Sequence, residues 1–143
     1  MKKCLMIFLG YCFSLTVISC GTKDNTSDNT SAESSSYSDN GTTFTVTVNS
    51  SKYYIDGILT KSLILKKGYT YYFDSTDSTT NNHPLFIGTN SSGGSYTYEY
   101  TSGVTNSRTT NETLKFVVPS DALSTLYYNC CNHAAMGGSI TFL

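Results

Sequence analysis

The sequence predicts an all-β domain, a sandwich or barrel of seven or eight short strands. Apolar and polar residues alternate with a period of two along most of the chain beyond residue 41. Clusters of Gly, Asn, Ser and Asp break that alternation at roughly ten-residue intervals, the turn spacing of sandwiches and barrels. Twelve of the 143 residues are Tyr, and aromatic and β-branched side chains pack well on a pleated, half-buried surface. No window offers an amphipathic helix of useful length, and no repeat recurs at a fixed period.

The N-terminal 20 residues read differently. Lys2 and Lys3 precede the apolar run "CLMIFLGYCFSLTVIS", which has the layout of a secretory signal and is too short for a spanning helix. Its end, Val17-Ile18-Ser19-Cys20-Gly21, resembles a bacterial lipoprotein cleavage box, which would make Cys20 the lipid-bearing N-terminus of an extracytoplasmic, membrane-anchored protein. The alternative is an ordinary signal cut nearby, with Cys20 a bystander. Residues 21–41, "GTKDNTSDNTSAESSSYSDNG", hold too little apolar surface to offset the entropy of ordering, so they are expected to be a disordered tether.

Residues 42–143 then form one domain. In "TTFTVTV" Phe44, Val46 and Val48 share a face, with threonines on the other. "KYYIDG" ends in an Asp-Gly turn signal, and "SLILKKGYTYYFDS" holds two strand runs joined across Lys67 and Gly68. "HPLFIGT", "SYTYEYT", "ETLKFVVP", "TLYYNC" and "GGSITFL" supply the remaining strands. In "STLYYNCC" the more apolar set is Leu126, Tyr128 and Cys130, so Cys130 should face inward and Cys131 outward.

Beyond Cys20 the chain carries seven of its nine Lys and Arg and all ten acidic residues, a net charge near −3. The charges are scattered, which argues against nucleic acid as a partner. Of five cysteines, Cys4 and Cys12 lie in the leader and Cys20 at its end, leaving only Cys130 and Cys131 to the domain. Adjacent cysteines are not the spaced pairs of a disulfide-stapled fold.

The stretch "YYNCCNHAAMGG" (127–138) sets Cys130, His133 and Met136 at three-residue steps. The one other histidine, His83, opens the strand run "HPLFI". Two histidines, a cysteine and a weakly bound methionine are the ligands of blue-copper electron-transfer sites. Soft sulfur suits Cu(I) and imidazole suits Cu(II), so a stiff scaffold holding both serves either state. Read singly, each residue has a plainer account: His83 a surface histidine, Met136 core filler, Cys130 and Cys131 a strained vicinal disulfide.

These residues also carry a resemblance. "YYNCCNHAAMGGSITFL" with "HPLFI" resembles the cupredoxins, the plastocyanin and amicyanin kind of blue copper protein, and the C-x-x-H-x-x-M step is that of amicyanin's short ligand loop. The stretch from "YYIDG" to "LYYNC" is similar to small bacterial cupredoxin-like domains. The resemblance implies a Greek-key β-sandwich in which His83, Cys130 and His133 are equatorial copper ligands and Met136 the axial one. It also has departures. Pro84 stands where the family has a bracing Asn, which makes Asn82 the candidate brace for the sulfur; Asn129 replaces an exposed Tyr before the Cys, and Cys131 has no counterpart.

The function expected is thus an extracytoplasmic one-electron carrier, monomeric, not an enzyme, meeting redox protein partners transiently. Two other classes stay open: a copper storage or delivery module, and a metal-free β-sandwich used for surface interaction.

Overall fold

The computed structural model describes residues 41–143. The leader, Cys20 and the tether up to residue 40 lie outside the described residues. Among the described residues no helix is long and apolar enough to cross a membrane.

The described residues run through ten strands: β1 (Thr42–Asn49), β2 (Lys52–Ile55), β3 (Ile58–Leu59), β4 (Leu63–Leu65), β5 (Thr70–Asp74), β6 (Leu85–Gly88), β7 (Val104–Thr105), β8 (Thr113–Val117), β9 (Thr125–Cys130) and β10 (Gly138–Phe142). They build a six-stranded sheet, ordered β3-β2-β1-β5-β8-β7, and a four-stranded sheet, ordered β4-β10-β9-β6. Both sheets are mixed: β1 runs parallel to β5 and β4 parallel to β10, and every other pair is antiparallel. The expected all-β sandwich is what forms. Its two extra strands, β3 and β7, are two residues each.

One core joins the sheets. Phe44, Val46, Tyr53, Ile55, Phe73, Leu114 and Phe116 of the larger sheet cluster with Leu63, Leu65, Leu85, Ile87, Leu126, Tyr128, Cys130 and Ile140 of the smaller. Burying each large apolar side chain contributes about 1.5–3 kcal/mol relative to leaving it in water. The period-two reading of β1 holds over its first half, where Phe44 and Val46 are buried while Thr43 and Thr45 are exposed; Thr47 and Val48 are both half-buried.

Local turn chemistry explains two connections. Asp56 and Gly57 both take positive φ, 51° and 76°, as a two-residue hairpin turn between Ile55 and Ile58 requires. The two runs around Lys67 and Gly68 are β4 and β5, but they lie in different sheets. The turn there, with Gly68 at φ 80°, carries the chain across the sandwich.

"SYTYEYT" is not a strand. Residues 95–101 form turns and bends, with only an isolated bridge between Gly88 and Glu99. The tyrosines alternate because they do different jobs. Tyr96 meets Phe86 edge-on at 5.1 Å, Tyr98 is exposed, and Tyr100 packs on Phe116 at 6.3 Å. The segment lies against β6, where Tyr100 N–H donates to the Ile87 carbonyl and Thr89 N–H to that of Tyr98 (both 2.8 Å).

Candidate metal centre

Strand pairing brings the candidate donors together. β6 and β9 pair antiparallel with Leu85 opposite Cys130, and opposed residues point to the same face. His83 lies two residues before Leu85, so alternation turns it toward the same side as Cys130. A turn fixes its backbone: His83 N–H donates to the Thr80 carbonyl at 2.8 Å. Thr80 is itself buried, its Oγ1 2.7 Å from the Ser75 carbonyl oxygen. Pro84 has no N–H to give, and its carbonyl accepts from Cys131 N–H at 3.3 Å.

Beyond Cys130 the chain loops through residues 131–137 before β10, held from three sides. From the segment after β6, Gly94 N–H donates to the Cys130 carbonyl (2.8 Å), while Ala135 N–H donates to the Ser92 carbonyl (2.7 Å). From β2, Tyr53 N–H donates to the Met136 carbonyl at 2.9 Å, and Lys52 Nζ to the Ala135 carbonyl. From within, Asn132 Nδ2 donates to the Asn82 carbonyl at 2.9 Å. These bonds hold Ala135 at φ 54°, a left-handed conformation that costs a non-glycine residue about 1–2 kcal/mol. Gly137 is required by contact: a Cβ there would lie 1.6 Å from the Tyr128 carbonyl oxygen.

The result is a convergent group. A ring nitrogen of His83, one of His133 and Cys130 Sγ lie within 4.8 Å of one another. His83 Nδ1 is 3.9 Å from the sulfur and His133 Nδ1 is 3.7 Å from it. The two rings sit 4.7 Å apart, centroid to centroid. With metal–sulfur and metal–nitrogen bonds of about 2.3 and 2.0 Å, a sulfur and a nitrogen around one ion stand roughly 3.5–3.7 Å apart and two nitrogens roughly 3.3–3.5 Å. The spacing present fits a bound ion.

Exposure and charge are graded across the group: Cys130 is fully buried, His83 half-buried and His133 exposed. Burial pushes the Cys130 thiol above its ordinary range, and hydrogen bonds from the Asn132 and His133 amides and the Tyr53 hydroxyl pull the other way. Burial, and then the neighbouring His133, hold the His83 imidazole below its usual range, which favours the neutral ring a metal needs.

The remaining candidates are placed as follows. Met136 lies in the same loop, fully buried within the core cluster. Leu126, Tyr128 and Cys130 all face the core, as alternation predicted. Asn129 and Cys131 lie on the opposite side, yet they too are buried, at 1% and 6% exposure. Asn129 is covered because its Nδ2 donates to the Asn90 carbonyl at 2.8 Å. Cys130 and Cys131 form no disulfide. Asn82 braces the site through its backbone carbonyl, which accepts from Asn132 Nδ2, and the side chains that reach the sulfur are the His83 and His133 rings. Sequence reasoning missed Tyr53 and Asn132. A tyrosine on the inward face of β2 whose hydroxyl needed a buried partner was the available signal for the first.

Two facing sheets with a histidine–cysteine–histidine group where β6 begins and β9 ends are the arrangement that the resemblance to the cupredoxins implies. No protein-family profile and no curated protein matches the chain. Among solved structures it is similar to a methionine-to-leucine variant of rusticyanin, at 18% identity and a TM-score of 0.46, over 75% of this chain and 79% of that one. It is also similar to the copper protein rusticyanin, at 13% identity and a TM-score of 0.45, over 75% and 80% of the two chains. A histidine-to-methionine variant of rusticyanin gives 14% identity and 0.43 over the same shares.

Proposed function

We propose that the domain is a copper-binding one-electron carrier in which His83, Cys130, His133 and Met136 hold the ion. The observation that carries this reading is the convergence of two Nδ1 atoms and one buried Sγ from segments 47 residues apart. Thiolate and imidazole together suit copper in both oxidation states. A bound copper ion would supply the Cu(II)/Cu(I) couple.

The protein's own residues do the rest. Loop and strand bonds fix the donors, so little has to move when an electron arrives or leaves. His133 turns Nδ1 toward the sulfur and is exposed, so solvent and partners reach the far edge of its ring. Next to it in the chain Ala134 and Ala135 are exposed, and Pro84, next to His83, is half-buried. Small side chains at an exposed imidazole suit brief docking with redox proteins, which use small interfaces. The reading is of a carrier and not an enzyme. The same reading places the domain outside the cytoplasm as a monomer, with residues 21–41 tethering it to lipid on Cys20.

The test is to add Cu(II) to the purified chain. An intense blue sulfur-to-copper charge-transfer band and a reversible redox wave are expected. A colourless protein would end the carrier reading, and tight Cu(I) binding without a wave would replace it with copper delivery.

A further inference from the structure

The geometry points to Tyr53 as the positioning residue of the metal centre, a single side chain on β2 that ties the cysteine-bearing and histidine-bearing segments together. This rests on reading His83, Cys130, His133 and Met136 as the copper site. Tyr53 is fully buried, and it bonds to the backbone of two of those four residues. Its hydroxyl donates to the His83 carbonyl at 2.7 Å, and its N–H donates to the Met136 carbonyl at 2.9 Å. Its ring packs on Tyr128, 6.2 Å between centroids, within the strand that ends at Cys130.

A hydroxyl carries a single proton, and in Tyr53 it goes to the His83 carbonyl, so the bond fixes the backbone that carries that imidazole. The N–H of the same residue fixes the loop that follows Cys130. Burial pushes the phenol's ionisation well above the ordinary tyrosine range, so the donor persists at any working pH.

Tyr53→Phe, compared with wild type as the full chain, tests this. The chain has two histidines, so the metal-free imidazole NMR spectrum contains two ring systems. A cross-relaxation peak between them is expected in wild type, from rings 4.7 Å apart, and its loss or marked weakening is expected in Tyr53→Phe. Loaded with copper, the variant should show a shifted charge-transfer band. A merely structural tyrosine would lower the melting temperature and move neither the cross-peak nor the band, and that result overturns the assignment. If wild type takes up no copper, the copper reading falls and the cross-peak alone decides Tyr53. Should Tyr53→Phe not fold, 4-fluorophenylalanine at position 53 fills the hydroxyl's space without donating and is read the same way.

Discussion

Cys130 and Cys131 show how much one step along a strand decides. Their Cβ atoms point to opposite faces, and only Cys130 joins the core cluster and approaches both imidazoles. Cys131 Sγ lies 3.5 Å from Asn132 Oδ1. Cys130→Ser should therefore abolish the blue band, while Cys131→Ser should leave its intensity within about 20%. Absorbance titration with Cu(II) checks this, and equal losses would reverse the assignment of the two sulfurs. Met136 calls for a different readout, because it is buried in either account. Met136→Leu keeps its volume and should cost less than about 1.5 kcal/mol of stability. If its thioether donates to the ion, the colour stays and the reduction potential rises, since a weak donor favouring Cu(II) is gone. An unmoved potential in voltammetry would leave Met136 a core residue alone.

Among the elements, the hairpins and facing patterns were legible because their signals are local. Asp56-Gly57 announces its turn, and the alternation in β1 and β9 announces its buried face. Burial raises the Asp56 carboxyl, but the hydrogen bonds from Lys61 and from the Thr45 N–H outweigh it and leave it below its ordinary value. A depressed carboxyl stabilises the fold above the unfolded value near 3.9 and loses that stabilisation as pH falls through the folded one. Asp56→Asn should keep the turn, cost less than about 1 kcal/mol at neutral pH for so exposed a pair, and flatten the acid limb of a stability–pH curve measured by urea unfolding. The segment 95–101 was misread because alternation reports two-sidedness and not strand pairing. Its Tyr96 and Glu99 face inward for reasons the sequence keeps apart. Glu99 is 5% exposed and accepts from Ser107 Oγ at 2.6 Å and from Arg108 Nε at 2.8 Å. Arg108 in turn lies over the Tyr96 ring. This clasp pins the segment over Phe86. Glu99→Gln keeps the shape and loses the charge, so it should cost about 1–3 kcal/mol, read as a lowered midpoint in thermal unfolding.

Across the whole molecule, what the sequence could not supply was the pairing order. That β1 lies beside β5, or β4 beside β10, depends on contacts between distant segments that no local pattern encodes. The candidate metal site escaped this limit because its donors are scarce: with two histidines in the chain, His83 had few competitors as partner to the 130–136 loop. The β6–β9 pairing makes that partnership physical, and it would couple metal binding to folding. A ligand that binds only the folded state stabilises it by about 2.7 kcal/mol at a hundredfold excess over its dissociation constant. For a domain of roughly a hundred residues each kcal/mol raises the melting temperature by about 4–8 °C, so copper should raise it by more than about 10 °C. His83 is half-buried and outside any strand, so His83→Ala should change the metal-free melting temperature by only a few degrees. It should nevertheless remove most of the copper-induced rise, because the link between β6 and the loop after β9 is broken. Calorimetry with and without copper separates the two effects. A full rise in His83→Ala would mean that residues 130–136 hold the ion without help from the other segment.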